Sequence, residues 1–113
     1  MDSKYYWIPN LVSETPHIHK DSIVSHALYS NDLVKVILFT FAAGQELSDH
    51  TSSSTAILHF ISGNAKLKIA EDDIDSKDQG WLYLPPNVPH SIYAITDVMM
   101  LLYLITDKNT REA

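Results

Sequence analysis

The chain has 113 residues, of which 45% are hydrophobic and 19% are charged, and it carries a net charge of −6. This length fits one domain of about 100–150 residues. The lack of cysteine excludes disulfide frameworks, thiolate zinc sites and cysteine nucleophiles. With 14 acidic against 8 basic residues the surface repels phosphate backbones, so we expect no nucleic-acid binding.

Residues 1–22 are predicted to form an N-terminal arm, with one short strand near residues 6–8 that could contribute to a dimer. The first ten residues, MDSKYYWIPN, lack the basic start and apolar run of a signal peptide. The longest apolar run, VMMLLYLI, is far shorter than the roughly 20 residues of a spanning helix. We therefore expect a cytoplasmic protein with no membrane partner.

Residues 23–106 are predicted to form an all-β barrel domain, followed by a short polar tail at 107–113. Short runs rich in Val, Ile, Leu, Phe and Tyr alternate with polar turns, and no helical periodicity is present. Regular spacing of such runs favours an antiparallel sandwich or barrel. Segment 71–80 is predicted to be a long charged hairpin loop. The predicted strands are 23–29, 33–41, a short strand before His50, 56–61, 65–70, 81–84, 91–95 and 99–105.

The strand at 33–41 is apolar on both faces except at Lys35 and Thr40. In the strand at 65–70, by contrast, alternation turns Lys66 and Lys68 outward. A strand buried on both sides needs two covering layers, which is demanding for so small a domain. We therefore expect its second face to pack on another subunit of a homodimer.

Two histidines are predicted to stand at strand entrances. His50 lies six positions after Gly44, and His90 follows the proline turn LPPNVPH, five positions after Pro85. An antiparallel barrel can bring two such entrances together, so that both imidazoles meet near one point. In a chain without cysteine, a metal at that point would depend on histidine, carboxylate and water.

The spacing of these residues resembles the two motifs of the cupin superfamily, in its small single-domain, conserved-barrel (RmlC-like) form. The first motif, G-x5-H-x-H-x3,4-E-x6-G, aligns with Gly44, His50, Ser52, Ala56 and Gly63. The second, G-x5-P-x-G-x2-H-x3-N, aligns with Gln79, Pro85, Asn87, His90 and Ala94, and Gly80 falls one position late. The resemblance covers residues 33–105.

The resemblance implies a jelly-roll barrel, or double-stranded β-helix, often dimeric, with a ligand pocket in its mouth. In many cupins three histidines and one glutamate of the motifs hold Fe, Mn, Ni, Zn or Cu. Only His50 and His90 stand at such positions here, because Ser52 is a poor substitute for imidazole and Ala56 has no donor. The predicted pocket residues are His50, His90, Ser52, Leu58 and Phe60.

Further histidines and carboxylates are candidates for completing the metal site. Glu46 has the strand parity of His50 but lies about 13 Å along the strand, and Asp49 would point to the opposite face. His59 has the parity opposite to the barrel-facing residues, so it becomes a ligand only if a β-bulge intervenes. The pair His17 and His19 could chelate an ion or complete a site across subunits, although an exposed, solvated pair is favoured.

Two functions remain open. The first is a pocket for a small polar molecule around His50 and His90, with a degenerate metal motif. The second is a metal-dependent enzyme of oxygenase or isomerase type, in which these histidines and further ligands hold Fe, Mn, Ni or Zn. The absence of the second histidine and the glutamate of the motif favours the first.

Overall fold

The computed structural model describes residues 4–15 and 17–106, in which nine β-strands pair antiparallel into two sheets. The five-stranded sheet has the order β1-β2-β9-β4-β7, and the four-stranded sheet has the order β3-β8-β5-β6. The predicted all-β class is confirmed, and the predicted strand ends lie within one residue of those observed. The strands are β1 (Ile23–Ser30), β2 (Val34–Phe41), β3 (Glu46–His50), β4 (Thr55–Ser62), β5 (Ala65–Ile69), β6 (Asp72–Ser76), β7 (Gly80–Leu84), β8 (His90–Ala94) and β9 (Val98–Ile105).

The space between the two sheets is filled by large apolar side chains. Successive strand residues point to opposite faces, so every second residue of β4, β8 and β9 enters this interior. Burying each large apolar side chain contributes about 1.5–3 kcal/mol to folding. The largest of these interior side chains, each almost fully buried, are Phe41, Leu58, Phe60, Ile92 and Met100.

Strand β6 lies inside the segment predicted to be a charged loop, and that prediction was wrong. Aspartate is a poor strand former, which hid the strand in the sequence. In the structure Asp75 lies opposite Lys66 and Asp73 lies opposite Lys68, in register along β5. Opposite charges at facing positions stabilise an antiparallel pair. The lysines of β5 therefore stabilise β6, whose own sequence has low β-propensity.

The N-terminal segment, residues 4–15, forms no strand near residues 6–8, contrary to prediction. It contains a 3-10 helix, Leu11–Glu14, whose start is capped by the Asn10 side chain accepting from the Val12 N–H at 2.9 Å. Ile8 and Leu11 pack on the face of the five-stranded sheet that points away from the interior. In the described residues no helix is long and apolar enough to cross a membrane.

The apolar side of β2 that points away from the interior is also covered within the chain. On its second face Leu38 is fully buried, together with Leu28 of β1 and Leu101 of β9. The cover over that cluster includes the N-terminal segment of the same chain. The second apolar face of β2 therefore does not by itself require another subunit.

Two of the motif glycines occupy backbone conformations that favour glycine. Gly44 and Gly63 have φ angles of +88° and +99°. A Cβ on Gly63 would collide with the main chain of Asp97 and Val98, whereas one on Gly44 would meet nothing within 4 Å. Gly63 thus allows the turn after β4 to approach the start of β9 closely.

Candidate functional site

The structure brings His50 and His90 together as directly opposed residues of β3 and β8. Their ring centroids are 4.1 Å apart, and the ring planes are inclined at 58°. The two strand entrances therefore lie side by side, and the two imidazoles meet at one point as expected. Their role in binding remains a prediction.

A β-bulge in β3 produces this opposition. The strand advances three residues between Leu47 and His50, while β8 advances two. Leu47 packs against the interior, and the extra residue turns His50 to the same side. The prediction that Glu46 points to the same side of the strand as His50 was therefore wrong. Glu46 lies opposite the exposed Tyr93, on the other side of the sheet.

Each imidazole is oriented by a main-chain carbonyl two residues earlier in the chain. The Nδ1 atom of His50 lies 3.0 Å from the Ser48 oxygen, and that of His90 lies 2.9 Å from the Val88 oxygen. A carbonyl oxygen only accepts hydrogen bonds, so both Nδ1 atoms carry the proton. In the neutral rings the two Nε2 atoms then hold free lone pairs.

The two rings differ in their exposure to solvent. His90 is 6% exposed, whereas His50 is an exposed residue. Burial lowers the pKa of His90, and the neighbouring His50 lowers it further. The hydrogen bond to the Val88 carbonyl and the charge of Asp49 act in the opposite direction without cancelling the effect of burial. His90 is therefore mainly neutral at pH 7, with Nε2 as an acceptor.

Ser52, at the position of the missing motif histidine, links the two loops beside the pair. Its carbonyl accepts from the Asn87 N–H at 2.8 Å, which joins the loop after β3 to the proline turn before β8. Its hydroxyl accepts from the Ser54 N–H at 3.0 Å. Asn87 has a φ of +67°, a conformation that asparagine tolerates better than most residues.

The predicted apolar pocket residues Leu58 and Phe60 face the interior, as their alternation indicated. Each is 1% exposed, and both belong to the main core cluster. Ala56, at the position of the motif glutamate, is buried in the same cluster. Contact of these side chains with a ligand stays a prediction.

The other histidines lie away from the pair. On β4, His59 alternates with the interior residues and donates its Nε2–H to Gln79 Oε1 at 2.8 Å. His26 lies 4.0 Å from a carboxylate oxygen of Glu14 in the N-terminal segment. The exposed segment around Ile18 lies beside Ala42 and Asp97.

The pair His17 and His19 flanks Ile18, which lies beside Ala42. Gly44, two residues after Ala42, donates its N–H to the carbonyl of Ala94, the last residue of β8. His90 is the first residue of β8, so the pair lies at the opposite end of that strand. A five-residue strand spans about 13 Å or more. Within one chain, the structure does not bring this pair to the site of His50.

The residues present do not fit the four-ligand metal centre that the resemblance implies. In residues 4–15 and 17–106, no group of three or more His, Asp or Glu side chains is placed to hold an ion. The two Nε2 lone pairs supply half of a tetrahedral set. His59 is not brought to them, so its assignment as a ligand remains a prediction without geometric support.

Two cavities of the structure lie elsewhere. A groove of about 400 Å³ lies between the N-terminal segment and the five-stranded sheet, with Tyr6, Leu28 and Tyr103 in its walls. A polar hollow of about 350 Å³ lies beside Lys20 and Asp97. Neither is lined by His50 or His90. Sequence reasoning missed the groove, although the aromatic run YYW in the N-terminal arm was a signal.

Comparisons with known proteins identify the fold. No family model and no curated protein matches the chain. A conserved protein of unknown function from Streptococcus pyogenes is 24% identical over 93% of this chain and 91% of its own, with a TM-score of 0.80. A cupin superfamily protein from Desulfitobacterium hafniense is 24% identical over 93% and 94%, also with a TM-score of 0.80.

An enzyme lies among the similar structures as well. The DMSP lyase DddQ from Ruegeria pomeroyi is 16% identical over 77% of this chain and 48% of its own, with a TM-score of 0.71. Identities this low establish the fold and leave the activity open. Together with the two antiparallel sheets, these likenesses show that the chain has the cupin fold.

Proposed function

We propose that the chain binds a small polar molecule, with His50 and His90 as the groups that recognise it. The observation that carries this proposal is the fixed orientation of both imidazoles by the Ser48 and Val88 carbonyls. It leaves two Nε2 atoms on adjacent strands as paired hydrogen-bonding groups. Pockets that bind small molecules typically combine an apolar lining with a few such fixed polar atoms.

The chemistry of the pair indicates the class of ligand. Burial keeps His90 mainly neutral at pH 7, so its Nε2 accepts a hydrogen bond. A ligand hydroxyl or amine group matches this acceptor. The apolar interior next to the pair, which includes Ile92 and Leu67, suits a carbon skeleton. We therefore expect a small hydroxylated or amine-bearing compound.

A second candidate function is a metal-dependent enzyme of oxygenase or isomerase type. Histidines that bind metals commonly donate their other ring N–H to a carbonyl, as His50 and His90 do. A divalent ion held there would supply Lewis-acid or redox chemistry. The donor set is incomplete in the described residues, which is why binding without metal is the first proposal.

Metal analysis of protein purified without an affinity tag separates the two functions. Wild-type chain would be compared with His50→Ala, His90→Ala and the control His59→Ala, after incubation with Fe, Mn, Ni and Zn under reducing conditions. Metal binding well below one ion per chain, unchanged in all three variants, is expected. Near-stoichiometric metal that disappears in the first two variants only would overturn metal-free binding in favour of the enzyme.

Ligand binding is tested by NMR of the histidine ring protons. Small alcohols, hydroxy acids and amines would be titrated while the Cε1–H resonances are recorded. A ligand should move the His50 and His90 resonances and leave that of His59 in place, and it should lose affinity in His90→Ala. If no compound in a broad library of this class shifts either resonance, the proposal is wrong.

A further inference from the structure

Lys35 of β2 is the one basic strand residue, within the described part of the chain, that lies on the interior side of a sheet. Phe41, which shares its parity on β2, packs in the interior, whereas Leu38 packs on the opposite side. The pairing of β2 with β9 runs without a register shift, so this alternation extends to Lys35. The lysines of β5, Lys66 and Lys68, alternate outward with the interior residues of that strand.

Lys35 lies at the end of the barrel where the histidine pair stands, here called the histidine end. It pairs with Leu104 of β9, which pairs in turn with Ala56 of β4, so these residues form one row across the five-stranded sheet. Ala56 also pairs with Leu84, the last residue of β7. The proline turn then leads from Leu84 directly to His90. The row of Lys35 and the row of the histidines therefore lie at the same end.

The two rows belong to strands that face one another across the interior. Short connections join β2 to β3, β4 to β5, β6 to β7 and β8 to β9, and each of them crosses from one sheet to the other. The orders β2-β9-β4-β7 and β3-β8-β5-β6 therefore match position by position, which places β3 over β2 and β8 over β9. Packed sheets lie about 10 Å apart, so Lys35 and the histidine pair approach the space between them from its two walls.

The Lys35 ammonium group is free to meet a ligand. The one ion pair found within residues 4–15 and 17–106 joins His26 to Glu14, away from Lys35. The Lys35 side chain is also exposed, so it is reached from solvent. An ammonium group has three hydrogen-bond donors and no acceptor, and a carboxylate is an acceptor of matching charge.

The charge at the other side of the histidine end gives a direction to such a ligand. Asp72 of β6 pairs with Ile69 of β5, which pairs with His90, so Asp72 ends the row of the histidines. Because neighbouring strands lie about 4.8 Å apart, Asp72 is about 10 Å from His90 along this row. An anionic group is therefore attracted toward β2 and repelled from β6.

We propose that Lys35 binds a carboxylate of the same small molecule whose hydroxyl or amine group His90 recognises. The role of Lys35 rests on the proposed function of the histidine pair, and it narrows the ligand to a small hydroxy acid or amino acid. The ligand carboxylate lies against the wall formed by β2, and its hydroxyl or amine group donates to Nε2 of His90. One positive charge balances one carboxylate, whereas a phosphate group carries close to two negative charges at pH 7.

Two series of probes that differ in charge test this role. The hydroxy acids 3-hydroxypropionate, 4-hydroxybutyrate and 5-hydroxypentanoate would be compared with propane-1,3-diol, butane-1,4-diol and pentane-1,5-diol. Both series should move the Cε1–H resonances of His50 and His90. The best acid should bind about tenfold more tightly than its diol at low salt, because its contact with the ammonium group is charge-assisted. Added salt should reduce this preference.

Substitutions of single lysines assign the preference to its residue. Lys35→Gln should abolish the preference for acids and leave the affinity for diols unchanged, whereas Lys35→Arg should keep the preference. Lys66→Gln is the matched control, because it removes the same charge on the side of the four-stranded sheet that points away from the interior. It should bind both series as wild-type chain does.

The outcomes separate the role of Lys35 from the function of the histidine pair. If acids and diols bind equally, or if the preference for acids survives in Lys35→Gln, Lys35 does not bind a carboxylate, although the histidines still recognise a polar group. If neither series moves the resonances of His50 and His90, the pair does not recognise such molecules, and both proposals are wrong.

Discussion

The ring of His90, almost fully buried, lies against the ring of the exposed His50 at a centroid distance of 4.1 Å. The two imidazoles have equivalent carbonyl partners and differ in their access to water. Burial lowers the pKa of His90, so the buried ring resists protonation. This asymmetry makes the stability of the chain depend on pH.

We expect acid to destabilise the chain through His90. Burial places the pKa of His90 below its ordinary 6.5, so the unfolded chain binds more protons between those two values. The free energy of unfolding should fall as pH drops through 6.5 and stop responding to His90 below the folded pKa. Urea unfolding of wild-type chain and His90→Gln, from about pH 8 to about pH 5, measures this difference.

In that comparison His90→Gln should show a smaller loss of stability with acid than wild-type chain. The control His59→Gln leaves the buried ring in place and should keep the wild-type difference. An equal loss in wild-type chain and His90→Gln would show that other groups govern the acid response.

The close approach at Gly63 predicts unequal costs for two similar substitutions. Gly44→Ala adds only the strain of a positive φ, about 1–2 kcal/mol. Gly63→Ala adds the same strain and also a collision with the Asp97 and Val98 main chain, about 3 kcal/mol in all. Thermal and urea unfolding should rank wild type above Gly44→Ala and Gly44→Ala above Gly63→Ala. Equal losses would mean that the turn after β4 moves to accept the methyl group.

Gln79 combines a strained backbone with a bridging side chain. Its φ is +68°, and its amide group bonds His59 at 2.8 Å and the Ile61 carbonyl at 3.0 Å. Gln79→Ala should lose about 1 kcal/mol because the hydrogen bonds disappear while the strain remains. Gln79→Gly loses the same bonds but relieves about 1 kcal/mol of strain, so it should unfold at a higher denaturant concentration than Gln79→Ala. The reverse order would show that the positive φ at this position imposes no strain on alanine.

The register of β5 and β6 predicts a charge-dependent pair. Asp75→Lys places a second positive charge opposite Lys66 and should cost about 0.5 kcal/mol at low salt. Adding Lys66→Asp should recover most of that loss, because the opposite charges are restored in exchanged positions. Unfolding curves at low and high salt measure the coupling. If the double variant loses as much unfolding free energy as the two single variants together, the two residues do not interact.

Much of the fold was predictable because its signals are local. Alternation of apolar and polar residues, with turn residues between the strands, gave strand ends within one residue. Strand β6 was not predicted, because it is stabilised by its pairing with β5 and its own sequence has low β-propensity. The prediction of a short strand near residues 6–8 was wrong, because packing on the Leu38 cluster holds the N-terminal segment in a different conformation.

The sequence by itself determined the class of fold, the positions of eight of the nine described strands and the candidacy of His50 and His90. These follow from residue type and spacing along the chain. Only the tertiary structure decided that a bulge in β3 sets His50 against His90, that Glu46 faces the opposite side, and that the N-terminal segment packs on the side of the five-stranded sheet that points away from the interior. The physical reason is that each depends on contacts between segments distant in sequence. A single extra residue in one strand reverses every parity argument beyond it.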